Sequence, residues 1–204
     1  MANNLLKGKR GIIFGALNEQ SIAWKVAERA VEEGAEIVLT NTEISLRMGE
    51  ISKLAERCNA PIIAADATKV EDLEALVDRA MEHFGGKFDF VLHSVGMSPN
   101  VRKSIPYQSL NYTFLDRTLD ISAVSFHKVL QVLYAKDALN EWGSVVALTY
   151  MAAQRTFIGY SDMADAKALL ESVARSFGAI YGRDRKVRVN TVSQSPTYTT
   201  AGKG

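Results

Sequence analysis

Short apolar runs alternate with longer helical patterns along the whole chain of 204 residues, and this alternation restricts the fold most. The six runs lie at 10–16, 35–40, 60–66, 88–96, 143–150 and 186–193. Several are continuous stretches of Val, Ile and Leu, which are typical of strands covered on both faces. The pattern predicts an α/β fold: one doubly wound domain with a six-stranded parallel sheet and helices on both faces.

The helical patterns between these runs are clear enough to predict boundaries. They cover 21–34, 43–58, 70–85, about 112–139 and about 160–181. Gly34 and Gly85 stand where left-handed helix caps are expected. A chain of this length can build one sizeable core, so we expect a single domain over residues 1–204.

Composition and charge exclude several classes of function. The chain has 24 Lys and Arg against 23 Asp and Glu, which argues against a broad nucleic-acid-binding surface. No run approaches the roughly 18 apolar residues of a membrane span. The N-terminus lacks the apolar region of a secretory signal, so we expect a cytoplasmic protein. The three histidines have no metal-ligand spacing, and we expect no metal.

In such sheets a ligand binds beyond the carboxyl ends of the strands, near the point where the strand order reverses. After the first run come Gly15 and, at a helix start, Ser21. Only one glycine of the usual dinucleotide fingerprint is present, so this signal alone is weak. A glycine and a helix N-terminus at this place can still cradle a pyrophosphate.

The ends of the next three runs are also compatible with a dinucleotide. After the second run, Glu43 would repel the 2′-phosphate of NADPH, which favours NADH. Asp66 ends the third run and can accept a hydrogen bond from the adenine amino group. Gly96 after the fourth run allows a close approach of the backbone to the adenosine ribose.

The segment YSDMADAK, residues 160–167, places a tyrosine seven positions before a lysine. On one helix this spacing puts Tyr160 and Lys167 on the same face. Chance supplies such pairs on many helices, but this one follows the fifth run, at the predicted ligand-binding rim. The ammonium is expected to lower the pKa of the phenol and to bond ribose hydroxyls, and the phenol to stabilise charge on a substrate oxygen.

Tyr-x6-Lys after the fifth strand of a Rossmann-like chain resembles the short-chain dehydrogenase/reductase superfamily. Within it, the sequence is similar to the bacterial NADH-dependent enoyl-acyl-carrier-protein reductases of type II fatty acid synthesis. The matching segments run in register over nearly the whole chain: GALNEQSIAW (15–24), HSVG (93–96), DISAVSF (120–126), LTYMAAQR (148–155), YSDMADAK (160–167) and VRVNTVSQSP (187–196).

One position separates this family from the ketoreductases of the same superfamily. Ketoreductases carry a serine thirteen residues before the tyrosine, where this chain has Ala147. As in the enoyl reductases, Tyr150 stands ten positions before Tyr160 instead. A ketone or alcohol substrate is therefore disfavoured, although a ketoreductase or alcohol dehydrogenase remains one alternative. A dinucleotide-binding fragment without catalysis is the other.

The resemblance implies a mechanism and a set of catalytic residues. NADH would deliver hydride to the β-carbon of a trans-2-enoyl thioester carried by acyl-carrier protein. Tyr160 would hydrogen-bond the thioester oxygen, Lys167 would hold the nicotinamide ribose, and Tyr150 would assist with substrate placement or protonation.

The resemblance also implies the binding residues. The cofactor set is Gly15, Ser21, Ile22, Thr42, Asp66, Ala67, Ser94, Gly96, Lys167, Thr197 and Thr199. The substrate set is Met97, Tyr150, Tyr160 and Met163.

Two features depart from the family pattern. Ser195 stands where the family usually has a glycine before Pro196. The sequence stops at Gly204, whereas family members continue with a substrate-covering helix, another helix and a seventh strand. We therefore expect a chain that lacks the lid and part of the homotetramer interface of the family.

Overall fold

The sheet has five parallel strands in the order β2-β1-β3-β4-β5. This holds for residues 2–194, the part of the chain that the computed structural model describes. The strands are β1 (Arg10–Phe14), β2 (Glu36–Thr40), β3 (Phe88–His93), β4 (Leu139–Tyr150) and β5 (Arg188–Gln194). β1 pairs with β2 on one side and with β3 on the other, so the strand order reverses next to β1.

The prediction of six strands is wrong by one within these residues. The segment 60–66 follows β2, but it forms only an isolated bridge between Leu39 and Ile62. Backbone bonds join Leu39 N to the Pro61 carbonyl and Ile63 N to the Leu39 carbonyl. Pro61 has no N–H to donate, so a regular ladder does not extend through this stretch.

Eight α-helices lie in the described residues. They are α1 (Ile22–Glu32), α2 (Glu43–Met48), α3 (Ile51–Cys58), α4 (Val70–Phe84), α5 (Pro99–Arg102), α6 (Tyr112–Leu119), α7 (Ser125–Ala135) and α8 (Met163–Arg185). A π-helical turn at Asp120–Val124 joins α6 to α7. The predicted left-handed caps are confirmed, with φ of +92° at Gly34 and +69° at Gly85.

Three predicted helix boundaries are corrected by the structure. The helix over 43–58 is broken at Gly49, where Glu50 N instead bonds the carbonyl of Leu17 at 2.8 Å. The helix expected to reach residue 139 ends at Ala135, because β4 begins at Leu139. The helix expected from Tyr160 begins only at Met163, after a left-handed turn, so Tyr160 precedes α8 rather than lying on it.

Helices cover both faces of the sheet, as predicted. Successive residues of β1 point to opposite sides: Ile12 and Phe14 pack with α4, α7 and α8, whereas Ile13 packs with α1 and α3. Trp24 of α1 is fully buried in the second cluster. These apolar contacts, the main source of stability in such a layered domain, hold the carboxyl ends of the strands in one rim.

Two classes of feature are missing from residues 2–194. No helix there is long and apolar enough to cross a membrane. No group of His, Cys, Asp or Glu in the same residues has the arrangement of a metal site.

Candidate active site

The backbones of β1 and β3 come very close where the strand order reverses. Phe14 pairs with His93, and the next residue, Gly15, has a φ of +90°. A Cβ atom built on Gly15 would lie 2.0 Å from the carbonyl oxygen of Ser94. Only glycine therefore fits at this point.

The N-terminus of α1 follows Gly15 and suits a phosphate. Ser21 turns its hydroxyl toward the preceding loop, where Oγ accepts from Leu17 N and Asn18 N, both at 3.2 Å. Within the described residues Ser21 makes no side-chain cap bond to α1, so its hydroxyl does not occupy the first amides of the helix, those of Ile22 and Ala23. Such amides, with the helix dipole, can bind a pyrophosphate.

The loop after β2 holds polar groups that bear on cofactor choice. Thr42 caps α2, and its Oγ1 accepts from Ser45 N at 3.3 Å. Arg47, the nearest basic residue, pairs with Glu43 across 3.5 Å on the exposed face of α2. A 2′-phosphate here would meet the Glu43 carboxylate together with the Arg47 guanidinium, which favours a ribose without that phosphate.

The loop after the isolated bridge is tightly organised around Asp66. Its Oδ1 accepts from Thr68 N at 2.9 Å and from Thr68 Oγ1 at 2.7 Å. Its backbone N donates to Asp72 Oδ2 at 2.9 Å. The side chain of Ala67 is buried in the core, so only the backbone of this residue can face a ligand.

Lys167 on α8 is buried, and its ammonium donates to the Leu148 carbonyl at 2.8 Å. Burial lowers the pKa of this ammonium to about 8. A Cβ atom built on Gly96 would lie 3.7 Å from Lys167 Nζ and 4.0 Å from Met163 Cε. The structure thus brings together Gly96, Met163 and Lys167, three residues predicted for the site.

Tyr150 and Tyr160 also come together. Their ring centroids are 4.8 Å apart, and the ring of Phe157 lies 5.5 Å from Tyr150 and 6.3 Å from Tyr160. Burial, together with the neighbouring Tyr150, raises the pKa of Tyr160 to about 12. The expectation that Lys167 lowers this pKa is therefore wrong, because desolvation of the phenol and the neighbouring Tyr150 both raise it.

The structure also places Met97 and Ala147, two further positions singled out from the sequence. Met97 is held by Ser122, whose Oγ accepts from Met97 N at 3.0 Å and donates to the Met97 carbonyl at 3.2 Å. Ala147, where a ketoreductase has its serine, is fully buried among apolar side chains. The site therefore has no hydroxyl at that position.

The sequence analysis missed four groups that shape the site. The Leu148 carbonyl is a backbone group without any sequence signal. Ser122, Phe157 and Asp162 lie in or beside the motifs, but only their contacts reveal them. The predicted ligands Thr197 and Thr199, and the departure at Ser195, lie outside the described residues.

The arrangement can bind a dinucleotide and polarise a carbonyl. Gly15 and the N-terminus of α1 form a phosphate cradle at the strand-order reversal. A buried ammonium and a protonated phenol lie along the same rim. A phenol with a raised pKa keeps its proton at neutral pH and serves as a hydrogen-bond donor to an oxygen that gains negative charge.

Comparison with known proteins shows consistent similarities. A family model described as "Enoyl-(Acyl carrier protein) reductase" matches residues 15–204. "Enoyl-[acyl-carrier-protein] reductase [NADH] 2" of Rhizobium meliloti is 34% identical over 203 residues, which are 99% of this chain and 74% of that protein. An NADH enoyl reductase of Rickettsia bellii is 32% identical over 203 residues, 99% of this chain and 76% of that protein.

Solved structures agree with these relatives. The FabI-NADH complex from Alistipes finegoldii is 74% identical, with a TM-score of 0.97, and the match covers 98% of this chain and 71% of that one. An enoyl reductase from Aquifex aeolicus is 26% identical, with a TM-score of 0.87 over 96% of this chain and 76% of that one. The buried lysine, the paired tyrosines and the alanine at 147 thus occur in a chain that belongs to the enoyl-acyl-carrier-protein reductase family.

Proposed function

We propose that the protein is an NADH-dependent enoyl-acyl-carrier-protein reductase, which reduces the trans-2 double bond of enoyl thioesters during fatty acid elongation. The observation that carries this proposal is the pairing of Tyr150 with Tyr160, together with a buried Lys167 that bonds the Leu148 carbonyl of the same strand end and Ala147 in place of a ketoreductase serine. The names of the relatives support both the reaction and the cofactor.

The fit of the site to NADH rests on the residues around the end of β1 and the start of α1, and not on Tyr150 and Tyr160. Gly15 and the amides of α1 suit the pyrophosphate, and Ser21 shapes the loop between them. Asp66 would accept a hydrogen bond from the adenine amino group, and Ala67 would contribute through its backbone. Ser94 and Gly96 would follow the ribose, while Thr42, Ile22, Thr197 and Thr199 complete the predicted set.

NADH, when bound, supplies a hydride to the β-carbon of the enoyl group. Negative charge would then grow on the thioester oxygen, and the Tyr160 hydroxyl would donate a hydrogen bond to that oxygen. A proton from water, added at the α-carbon of this enolate, would complete the saturated thioester. The raised pKa of Tyr160, about 12, supports this role because the phenol stays protonated at neutral pH. Tyr150 packs against Tyr160 and would limit the positions that the thioester can take.

Lys167 would serve the cofactor rather than the substrate oxygen. Its ammonium is fixed to the Leu148 carbonyl, and its remaining N–H groups would donate to the nicotinamide ribose hydroxyls. Gly96 has no side chain, and a Cβ built there would lie 3.7 Å from Lys167 Nζ, so its backbone is close to the ammonium that would hold the sugar. Met97 and Met163 would line the acyl-chain pocket, since flexible thioethers adapt to apolar chains of different shape.

The substrate would arrive on acyl-carrier protein, and the proposal includes a homotetramer in the cytoplasm. Residues 1–204 act as one reductase domain in this view. The chain spans 74% to 76% of the two curated relatives described above and 71% of the Alistipes chain.

A substrate comparison tests the reaction directly. NADH oxidation is followed by absorbance with a trans-2-enoyl thioester and, separately, with a 3-oxoacyl thioester of the same length. The proposal expects turnover of the first only. Turnover of the second only would establish a ketoreductase, and NADH binding without turnover of either would establish a binding module without catalysis.

A further inference from the structure

A buried carboxylate lies two residues after Tyr160. Asp162 is fully buried and accepts hydrogen bonds from Ser98 Oγ at 2.6 Å, Asn100 Nδ2 at 2.7 Å and Thr118 Oγ1 at 2.8 Å. All three donors are themselves buried, and all three are neutral. Burial of a carboxylate costs desolvation free energy unless hydrogen-bond donors compensate it. The three donors supply that compensation, so the cluster is part of the folded structure itself.

The donors of Asp162 organise the segment 98–118, which contains α5 and α6. Ser98 Oγ also accepts from Val101 N at 2.9 Å and so caps α5. Asn100 bonds both backbone groups of Asn111, with its Oδ1 3.2 Å from Asn111 N and its Nδ2 3.3 Å from the Asn111 carbonyl. One carboxylate therefore holds the start of α5, the start of α6 through Asn100, and the last turn of α6 through Thr118.

Two more bonds fasten the same segment to the residues around Tyr160. Ser161 Oγ donates to the Ile105 carbonyl at 3.3 Å, and Tyr107 OH donates to Asp165 Oδ1 at 3.2 Å. The segment 98–118 is thus attached to residues 161–165 along its length. It begins directly after Met97, which is predicted to line the acyl pocket.

Tyr160 needs support of this kind because it stands outside α8. Ser161 has a φ of +47°, a left-handed conformation that costs free energy for a residue with a side chain. Asp162 comes immediately after this turn and precedes the first residue of α8. The buried hydrogen bonds of its side chain keep the turn, and therefore the direction of the Tyr160 ring, in one conformation.

We propose that Asp162 is a positioning residue. It holds the segment 98–118 and the turn at Tyr160 in a fixed relative position, and so places the Tyr160 hydroxyl correctly for the oxygen of the enoyl thioester. The proposal rests on the proposed function, since it gives Asp162 a task in the placement of the thioester oxygen. Asp162 acts through Tyr160 and does not touch the reacting atoms.

Substitution of Asp162 tests this role through the kinetics. Asp162→Ala removes the acceptor that three buried donors share, although Asn100 and Thr118 keep their bonds to backbone carbonyls. We expect kcat/KM for the enoyl thioester to fall on the order of 10²-fold, the cost of a catalytic group displaced by about 1 Å. Asp162→Asn keeps the size and most bonds, and we expect a smaller loss in the same direction. The dissociation constant of NADH should stay within about 2-fold in both variants, because none of the side chains that bond Asp162 belongs to the predicted cofactor set.

A matched control separates positioning from stability. Glu33, also buried, accepts from the backbone N atoms of Asn3 and Leu5 and pairs with Arg29 at the opposite end of the sheet. Glu33→Ala should destabilise the fold while leaving kcat/KM unchanged. A fall in kcat/KM in Glu33→Ala equal to that in Asp162→Ala would overturn the proposal.

A double-mutant cycle shows whether Asp162 acts through Tyr160. In a Tyr160→Phe background, Asp162→Ala should lower kcat/KM much less than in the wild-type background, since the hydroxyl that it positions is gone. Equal effects in both backgrounds would overturn the proposal. If Asp162→Ala does not fold, the same cycle is run with Asp162→Asn.

A binding measurement distinguishes failure of this inference from failure of the proposed function. Wild-type protein without enoyl turnover would refute the proposed function. The affinity of the NAD+-loaded protein for the enoyl thioester is then the readout, because the oxidised cofactor cannot donate hydride. Weaker thioester binding in the Asp162 variants supports the positioning role, and unchanged binding overturns it.

Discussion

Lys167 Nζ lies 2.8 Å from the carbonyl oxygen of Leu148, two residues before Tyr150 on β4. One hydrogen bond thus joins the first turns of α8 to the end of the strand that carries the second tyrosine. Four residues further along α8, Glu171 accepts from Thr149 Oγ1 at 2.8 Å, so the helix holds this strand end at two points. The site depends on this junction, because β4 carries Tyr150, α8 carries Lys167 and Tyr160 lies in the turn just before α8.

The charge of Lys167 should control cofactor affinity in the alkaline range. Burial lowers the pKa of its ammonium to about 8, so the positive charge is present below this pH and is lost above it. We expect the dissociation constant of NADH to rise as pH increases through about 8. Lys167→Met should bind NADH weakly, and its dissociation constant should not rise through pH 8. Fluorescence titration with NADH from pH 6.5 to 9.5 measures both effects.

The exposed Lys25 provides a control for that experiment. Lys25→Met should keep the wild-type pH profile. An inflection near pH 8 that persists in Lys167→Met would show that another group is responsible.

Removal of the Tyr160 hydroxyl should affect the chemical step more than binding. Tyr160→Phe keeps the ring contact with Tyr150 but removes the donor to the thioester oxygen. We expect kcat to fall about 10²- to 10³-fold, as for the loss of one oxyanion donor, with little change in NADH affinity. Steady-state kinetics should be compared with Tyr134→Phe, which removes a hydroxyl bonded to Asp184 far from the site. A kcat for Tyr160→Phe equal to that of Tyr134→Phe would contradict the assigned role.

Much of the fold could be predicted because buried parallel strands leave a local signal in the sequence. The exceptions arose from contacts distant in sequence or from single residues. Pro61 reduced a predicted strand to one bridge, and the bond between Glu50 and the Leu17 carbonyl coincides with the break in the helix over 43–58. Neither effect is visible in the periodicity of apolar residues.

The residue types of the site could be predicted from the sequence, but their electrostatics could not. The spacing identified Tyr160 and Lys167 correctly as candidates. It also predicted that both lie on one helix and that the pKa of the phenol is lowered, and neither holds in the structure. The structure places Tyr160 before α8, half-buried, and buries Lys167, so desolvation is the largest cause of both pKa shifts. Burial is a property of the assembled rim, and the role of Asp162 depends likewise on donors 44 to 64 positions away.

Gly15 should not tolerate a side chain. Alanine would adopt a left-handed φ at a cost of roughly 1–2 kcal/mol, and its Cβ would also clash with the Ser94 carbonyl at 2.0 Å. We expect Gly15→Ala to lower the free energy of unfolding by more than that strain alone and to weaken NADH binding. Gly85→Ala has a similar positive φ with open space around the Cβ, so it should cost only the strain. Urea unfolding compares the two, and equal losses would argue against the close approach.

The buried His93 should make the fold sensitive to acid. Burial, and then the nearby charge of Lys167, lower its pKa from 6.5 to about 3. Between these values the unfolded chain binds a proton that the folded chain does not, so stability falls as pH drops below 6.5, by about 1.4 kcal/mol per pH unit. Urea unfolding should show about 2 kcal/mol less stability from this group at pH 5 than at pH 7.

Substitution assigns this acid sensitivity to His93. His93→Gln cannot take up the proton and should flatten the dependence of the unfolding free energy on pH, whatever its effect at pH 7. His127→Gln, at an exposed position on α7, should keep the wild-type slope. Because the ammonium of Lys167 adds to the shift, Lys167→Met should let His93 protonate at a higher pH in the folded protein, so that the loss of stability levels off at a higher pH than in the wild type. A wild-type slope in His93→Gln would assign the acid sensitivity to other groups.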